Sequence, residues 1–299
     1  MNKVSAALRW WATMGVGALL AAGAGVVPLA TASPLPVATP HLTVGPNHLL
    51  SDNAVAESHG RGGGTSAAGA PLGWASGNWS GYAVTGGPYT GVSSTWTVPA
   101  VQRSRRFGYG FSATWTGIDG FNNQTLIQTG TEQDSYFGSP IYQAWWTSSA
   151  QGFAEQVITT GCSGIGTCGK VLPGDHMSAT ISESNPPAHL WSITLSDTSE
   201  AWSFSNTIAY NGAGTSAEWI VEAPSSTFGV LPLANYGGTV FDHGSVSGGS
   251  PNLVAGDGGV MVQRGAVVST PSGPDMGDVG GPDGFAIAYG SSPPAPPPS

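Results

Sequence analysis

Apolar and polar residues alternate along short runs of this chain, and no run keeps a helical period of 3.6 for more than two turns. Alternation at period two is typical of strands that bury one face. Turn-forming residues, 46 Gly and 23 Pro among 299 residues, separate the runs and favour many short strands. The clearest runs are Ser94–Val98, Ser112–Asp119, Thr125–Gly130, Ile141–Thr147, His189–Leu195 and Ala217–Glu222. We therefore expect an all-β fold, an antiparallel β-sandwich with curved sheets.

The side-chain composition excludes several classes of protein. Charged residues make up 8% of the chain, too few for a coiled coil or an exposed helical bundle. The 11 Trp, 8 Tyr and 9 Phe supply apolar surface that a disordered chain lacks. The formal net charge is −9. One loop contains a basic group, Arg103, Arg105 and Arg106, which we expect to be a solvated turn. We therefore expect no nucleic-acid partner. Once its carboxylates are neutralised the chain keeps few charges, which suits acid conditions.

The N-terminus has the pattern of a secretory signal. Lys3 and Arg9 precede an uncharged run from Trp10 to Ala30, and a small-x-small sequence ends at Ala32. This pattern predicts a signal peptide over residues 1–32, a secreted protein, and no membrane association after cleavage. An uncleaved anchor is the alternative, because the run is long enough to span a bilayer.

The composition changes again after this signal and near the C-terminus. Residues 33–73 contain no Trp, Tyr or Phe, so we expect a propeptide or flexible linker there. Residues 291–299 form a proline-rich tail. The remaining residues, 74–290, are expected to form a single domain.

Two cysteines, Cys162 and Cys168, lie close together in this region. In an exported protein such a pair predicts a short-loop disulfide. A zinc site needs about four ligands, and only His176 is near in sequence. We therefore expect no metal and no cofactor.

The strand Ala217–Glu222 carries two carboxylates on one face. Period two places Glu218, Ile220 and Glu222 together, and Trp219 on the opposite face. A carboxylate in such surroundings either faces water or lies in a cleft that alters its pKa. The residues alone leave both alternatives open.

Several catalytic motifs are absent from the sequence. There is no Gly-x-Ser-x-Gly elbow, no His-Glu-x-x-His zinc helix and no phosphate-binding loop. Asp-Thr-Gly and Asp-Ser-Gly, which would indicate a paired-aspartate protease, are also missing. These absences weigh against the common hydrolase classes that can be found from short motifs.

A set of short pieces, spread along the chain in a fixed order, is more specific. They are Asn78-Trp79-Ser80-Gly81-Tyr82, Thr95-Trp96-Thr97-Val98-Pro99, Trp115-Thr116-Gly117-Ile118-Asp119-Gly120, Ile127-Gln128-Thr129-Gly130-Thr131-Glu132, Ala144-Trp145-Trp146, Ala217-Glu218-Trp219-Ile220-Val221-Glu222-Ala223-Pro224 and Leu231-Pro232-Leu233-Ala234-Asn235-Tyr236-Gly237. In order and spacing they resemble the glutamic peptidases, or eqolisins, especially bacterial members. The resemblance implies two long, curved antiparallel sheets in a concanavalin-like jelly-roll sandwich, and peptide-bond hydrolysis in acid without a metal.

The resemblance also assigns site residues. The family glutamine lies in Gln-Thr-Gly, here Gln128, and the family glutamate in Ala-Glu-Trp-Ile, here Glu218. Trp115 and Asp119 match residues that shape the substrate cleft, and Trp145 matches a tryptophan of the middle strand. The alternatives are that both tryptophans are core residues and that Asp119 stabilises its turn.

Some positions depart from the family pattern. Gln143 stands where an aspartate is common, yet we expect it to bind substrate; Glu132 replaces a family aspartate, and the stretch Thr147-Ser148-Ser149 is neutral. These departures affect subsite preference more than the reaction.

For the reaction, we expect Glu218 to act as general base and then acid, and Gln128 to orient the water and stabilise the oxyanion. The expected activity is that of a monomeric acid endopeptidase acting on polypeptides. A glycan-binding sandwich, a glycoside hydrolase and a catalytically dead relative are the alternatives.

Overall fold

The structure is a computed structural model that describes residues 72–104, 108–152, 154–226 and 229–298. The predicted signal peptide, residues 33–71 of the predicted propeptide, and Arg105 and Arg106 lie outside the described residues. Within the described ranges there are nineteen strands and only short 3-10 helices, at Ser149–Gln151, Pro186–Ala188 and Ala255–Asp257. No helix in these ranges is long and apolar enough to span a membrane.

The strands follow one another along the chain with short connections. They are β1 (Trp74–Ser76), β2 (Trp79–Thr85), β3 (Gly91–Thr97), β4 (Tyr109–Gly110), β5 (Ala113–Ile118), β6 (Ile127–Tyr136), β7 (Ser139–Ser148), β8 (Gln156–Val157), β9 (Cys162–Gly164), β10 (His176–Asn185), β11 (Leu190–Asp197), β12 (Trp202–Ala209), β13 (Ser216–Glu222), β14 (Ser225–Ser226), β15 (Gly229–Val230), β16 (Gly238–Val246), β17 (Gly258–Gln263), β18 (Ala266–Pro274) and β19 (Phe285–Tyr289).

Two layers of strands form the fold. The first layer has the order β8-β7-β6-β5-β13-β2-β17, and the second has the order β18-β19-β16-β3-β10-β11-β12-β9. These neighbours pair antiparallel, while β1 pairs parallel with β17 at the edge of the first layer. The hairpin between β17 and β18 joins the layers, turning at Arg264 and Gly265, which both have positive φ. Positive φ at two central residues matches the turn type that suits the strand twist of a hairpin.

The main hydrophobic core lies between the two layers. Trp96 and Trp219 are buried there, and their indole N–H groups cross the core. Trp96 donates to Thr131 Oγ1 (3.2 Å), and Trp219 Nε1 donates to the backbone oxygen of Ser93 (3.0 Å). Buried indoles normally find such partners. The expected all-β sandwich of antiparallel sheets is confirmed.

The structure confirms several local expectations and adjusts others. Cys162 and Cys168 form a disulfide with a Cα–Cα distance of 5.3 Å. Leu72 and Gly73, which the sequence analysis placed in the propeptide or linker, are part of the folded chain: Leu72 is buried, and the Gly73 N–H donates to the backbone oxygen of Gly258 (2.9 Å). Residues 291–298 contain no strand.

Candidate active site

The first layer has a face turned away from the second layer, which we call the site face. Cross-strand partners point to the same face of a sheet. The register places Ala83, Glu218, Gly117, Gln128 and Thr147 in one row across β2, β13, β5, β6 and β7. We call this the dyad row, because it contains both predicted catalytic residues.

Glu218 and Gln128 lie on either side of Gly117 in the dyad row. Two strand spacings separate their Cα atoms, or about 10 Å. Gly117 has no side chain to fill the gap, and a methyl group there would lie 3.2 Å from Cβ of Gln128. The two long side chains can therefore approach each other above the glycine, as a shared water requires.

The next row along the site face contains the two predicted cleft tryptophans. It runs Gly81, Ile220, Trp115, Gly130 and Trp145. Gly130 leaves room between the two indoles, because a methyl group there would lie 2.5 Å from Cβ of Trp115. Trp115 and Trp145 are both fully buried, and within the described ranges the indole N–H of Trp145 has no hydrogen-bond partner. The structure thus brings both tryptophans next to the dyad row.

The third row, which we call the acid row, runs Trp79, Glu222, Ala113, Glu132 and Gln143. It repeats the arrangement of the dyad row, with two polar groups on either side of a small residue. It lies one row further from the dyad, beyond the tryptophans.

Gln143 is occupied within the chain. Its Nε2 atom donates to Glu132 Oε2 (2.6 Å) and to Glu155 Oε1 (3.0 Å). Sequence reasoning missed Glu155, because it lies in an irregular segment before β8 where alternation indicates no face. The structure therefore makes Gln143 part of a hydrogen-bonded group with two acids.

Burial dominates the electrostatics of the dyad. Both carboxyl oxygens of Glu218 and both polar atoms of the Gln128 amide are buried and have no hydrogen-bond partner among the residues that the structure describes. Burial raises the pKa of Glu218 well above its usual 4.5; the hydroxyl of Ser216 opposes this rise, and the charge of Asp119 adds to it. Unpaired buried polar groups are costly and require an explanation, and here two of them share one row of the site face.

A group of buried acids lies at the other side of the site face. Burial raises the pKa of Glu132, Asp134 and Glu155, and the charge of Glu132 adds to the rise for the other two. Hydrogen bonds from Gln143 and from the Ser112 N–H partly oppose these rises. Such a group holds protons to a higher pH than exposed acids do.

Asp119 lies at the end of β5 and is fully buried, with φ of 68°. Its carboxylate accepts hydrogen bonds from Asn123 Nδ2 (2.7 Å), the Tyr210 hydroxyl (2.8 Å) and the backbone N–H groups of Gly214 (2.9 Å) and Thr215 (2.7 Å). These donors come from two loops. The contacts favour the alternative in which Asp119 stabilises its turn and the neighbouring loop, close to the dyad row but without a free oxygen for substrate.

Among the described side chains, one acidic group has its carboxylate oxygens within 4.8 Å of one another, the spacing that a shared cation needs. Its members are Asp242, Asp275, Asp278 and Asp283. Asp242 lies on β16 and the other three lie in the loop between β18 and β19, in the second layer and thus apart from Glu218 and Gln128. Burial and the neighbouring carboxylates raise the pKa of Asp283 to about 6. Oxygen ligands suit hard cations such as Ca²⁺, but acidic groups of this kind also occur without an ion.

The chain as a whole resembles known proteins. A profile of the Peptidase A4 family matches residues 77–270. Aspergillopepsin-2 from Aspergillus niger is 27% identical over 223 residues, which is 66% of this chain and 74% of that protein.

Two solved structures share the fold. Scytalido-glutamic peptidase with a transition state analog inhibitor has a TM-score of 0.54 and 22% identity, covering 71% of this chain and 98% of that one. SCP-B, a member of the eqolisin family in complex with the tripeptide Ala-Ile-His, has a TM-score of 0.52 and 22% identity over the same shares.

Proposed function

Because this chain belongs to the peptidase A4 family, we propose that it is a secreted endopeptidase in which Glu218 and Gln128 activate a water molecule against the peptide bond. The observation that carries the proposal is the dyad row. It places a carboxyl and an amide on either side of a glycine, and their buried polar atoms have no partner within the described ranges.

The pair supplies the functions that peptide hydrolysis requires. A carboxylate oxygen of Glu218 takes a proton from water as the water oxygen attacks the carbonyl carbon. Gln128 accepts a hydrogen bond from the water through Oε1 and donates from Nε2 to the developing oxyanion. Glu218 then returns the proton to the amide nitrogen, and the C–N bond breaks. No covalent intermediate with the protein forms.

A neutral amide beside the carboxyl has a specific advantage. Two carboxyls this close would titrate as a coupled pair and could not both be ionised. With Gln128 as its neighbour, Glu218 titrates as a single site. Burial strengthens each interaction with the transition state, because the local dielectric constant is low.

The rows beside the dyad support a polypeptide substrate. Apolar Trp115 and Trp145 lie in the row next to the dyad, and polar Gln143 with its acids lies one row further along. A glycan-binding face would present exposed aromatic rings, whereas both tryptophans are fully buried. Glu218 and Glu222 are four residues apart on one strand, about 13 Å at Cα, which is too far for the carboxyl pair of a glycosidase. We propose that the enzyme acts as a monomer, without a cofactor.

Digestion of an unfolded protein tests the proposal. The wild type should cleave it at weakly acidic pH, on the basic side of the Glu218 titration, pepstatin should not inhibit, and Glu218→Gln should lose essentially all turnover. Circular dichroism would show that the variant is folded. Normal turnover by folded Glu218→Gln would overturn the assignment.

A further inference from the structure

We propose that Glu222 is a positioning residue for this reaction: its carboxyl fixes the indole of Trp115 against Gly117, and the indole in turn sets the approach of Glu218 and Gln128. The inference rests on the proposed function of the dyad. Glu222 is four residues beyond Glu218 on the same face, so it does not touch the reacting atoms.

The carboxyl of Glu222 is fully buried and both of its oxygens have fixed donors. Trp115 Nε1 donates to Oε2 (2.9 Å), and Asn78 Nδ2 donates to Oε1 (3.1 Å). Asn78 is held in turn, because its side-chain oxygen accepts from Ser76 Oγ (3.1 Å) and its backbone oxygen accepts from the Ala223 N–H (2.8 Å). Buried, fully paired networks of this kind fix the orientation of their members.

The indole of Trp115 transmits this orientation to the dyad row. A methyl group at Gly117 would lie 2.8 Å from Cζ3 of the Trp115 ring, so the edge of the ring reaches the gap between Glu218 and Gln128. The ring also packs edge-on against Trp79, with 4.8 Å between centroids. Its N–H end is bound by Glu222, and its other end borders the place where the two catalytic side chains meet.

The chemistry of the site requires a carboxyl group at position 222. Burial raises the pKa of Glu222 well above its usual value, and hydrogen bonds from Trp115, Trp79 and Asn78 oppose that rise. In either protonation state each carboxyl oxygen keeps a lone pair to accept an N–H group. Glutamine has one acceptor oxygen, and its NH₂ group would face one of the donors. Glu222→Gln therefore loses at least one hydrogen bond, which loosens the network that orients the indole.

A double-mutant cycle tests the inference in the full chain. We expect Glu222→Gln to lower kcat by about 10- to 100-fold, with a smaller change in KM. A loss of this size corresponds to moving a catalytic group by about 1 Å. In a Trp115→Phe background, which has no indole N–H, the same substitution should lower kcat by less than about 3-fold. Equal losses in both backgrounds would overturn the inference. If Glu222→Gln does not fold, Glu222→Asp, which withdraws the carboxyl from the indole, takes its place in the cycle.

Ser269→Ala provides a matched control for destabilisation. Ser269 is a buried hydroxyl in the core, bonded to Ser80 Oγ (2.6 Å) and the Tyr236 hydroxyl (2.7 Å), away from the site face. It should lower the melting temperature and leave kcat unchanged. A loss of kcat as large as that of Glu222→Gln would show that general destabilisation explains both.

A measurement without turnover separates this inference from the proposed function. The indole N–H resonance of Trp115, assigned by its loss in Trp115→Phe, should lie downfield in the wild type and move upfield in Glu222→Gln. If the wild type hydrolyses no peptide, the proposed function fails and the resonance alone decides the Glu222–Trp115 link. An unchanged resonance would overturn that link even in an active enzyme.

Discussion

Gln128 and Glu218 are both direct cross-strand partners of the same glycine, one from each neighbouring strand. No hydrogen bond joins the strands β6 and β13 that carry them, because β5 lies between. The proposed catalytic pair is therefore set by the geometry of three adjacent strands, and the side chain missing at Gly117 is part of the candidate site.

Replacing Gln128 should separate binding of the oxyanion from proton transfer. Gln128→Ala removes the proposed donor while leaving Glu218 in place, so kcat should fall by about 10²- to 10³-fold. Steady-state kinetics on a peptide substrate would measure this. Thr147 is the neighbour of Gln128 at the end of the dyad row but is not one of the pair. Thr147→Ala should therefore lower kcat far less. A similar loss for both would contradict a specific role for the amide.

Gly117→Ala should inactivate the enzyme with little loss of secondary structure. The new methyl group would lie 2.8 Å from Cζ3 of Trp115 and 3.2 Å from Cβ of Gln128, which forces one or both to move. We expect kcat/KM to drop by at least about 100-fold. The measurement is kcat/KM together with circular dichroism. Retention of wild-type activity would show that the gap above Gly117 is not used.

Activity should fall on the acid side as Glu218 takes up a proton. Burial raises the pKa of Glu218, so the acid limb of the kcat/KM profile lies above the usual 4.5 of an exposed glutamate. The limb should have the slope of one proton, because Gln128 does not titrate. A limb with the slope of two protons would indicate a coupled pair and would contradict the assignment of Gln128.

The stability of the fold should be greatest in acid and decrease as the pH rises. Burial raises the pKa of Glu132, Asp134 and Glu155 in the folded protein, so the folded state holds protons that the unfolded state has already released. The free energy of unfolding therefore starts to fall once the pH passes the usual pKa values, 3.8 for Asp134 and 4.5 for Glu155. It stops falling when the pH exceeds the pKa values of the folded state. Calorimetric melting temperatures across this pH range would measure the decline. Glu155→Gln should make the decline shallower, and a melting temperature that rises with pH would contradict the account.

Asp119→Ala should affect stability more than binding. The substitution removes the acceptor of four hydrogen bonds, two of them fully buried, and we expect the free energy of unfolding to fall by about 3 kcal/mol. Well below the melting temperature, KM should change little. Denaturant unfolding and KM at low temperature would measure both. A large increase in KM with normal stability would instead indicate direct contact with substrate.

Part of this arrangement was predictable from the alternation of residues. Period two correctly put Glu218 and Glu222 on one face, and the strand Ile141–Thr147 is found within β7. Which strands are neighbours was not predictable, since no local pattern encodes that β5 lies between β6 and β13. The rows of the site face can be derived only when this strand order is known.

Two features of the site escaped the sequence analysis for local reasons. The predicted strand Thr125–Gly130 is too short, because β6 continues to Tyr136. Its second half has no apolar alternation, since Glu132 and Asp134 occupy buried positions there. Glu155 comes from a segment without regular structure, and only the fold brings it to Gln143.

The position of Leu72 and Gly73 has a practical consequence for producing this enzyme. A recombinant gene that started at the predicted domain boundary, Trp74, would remove a buried leucine and the hydrogen bond from Gly73 to Gly258. It would also leave β1 (Trp74–Ser76), the parallel edge strand, as the extreme end of the polypeptide, where termini fray. An expression design should therefore begin upstream of residue 72, and a processing protease that trims the chain further would be expected to loosen that edge of the sheet.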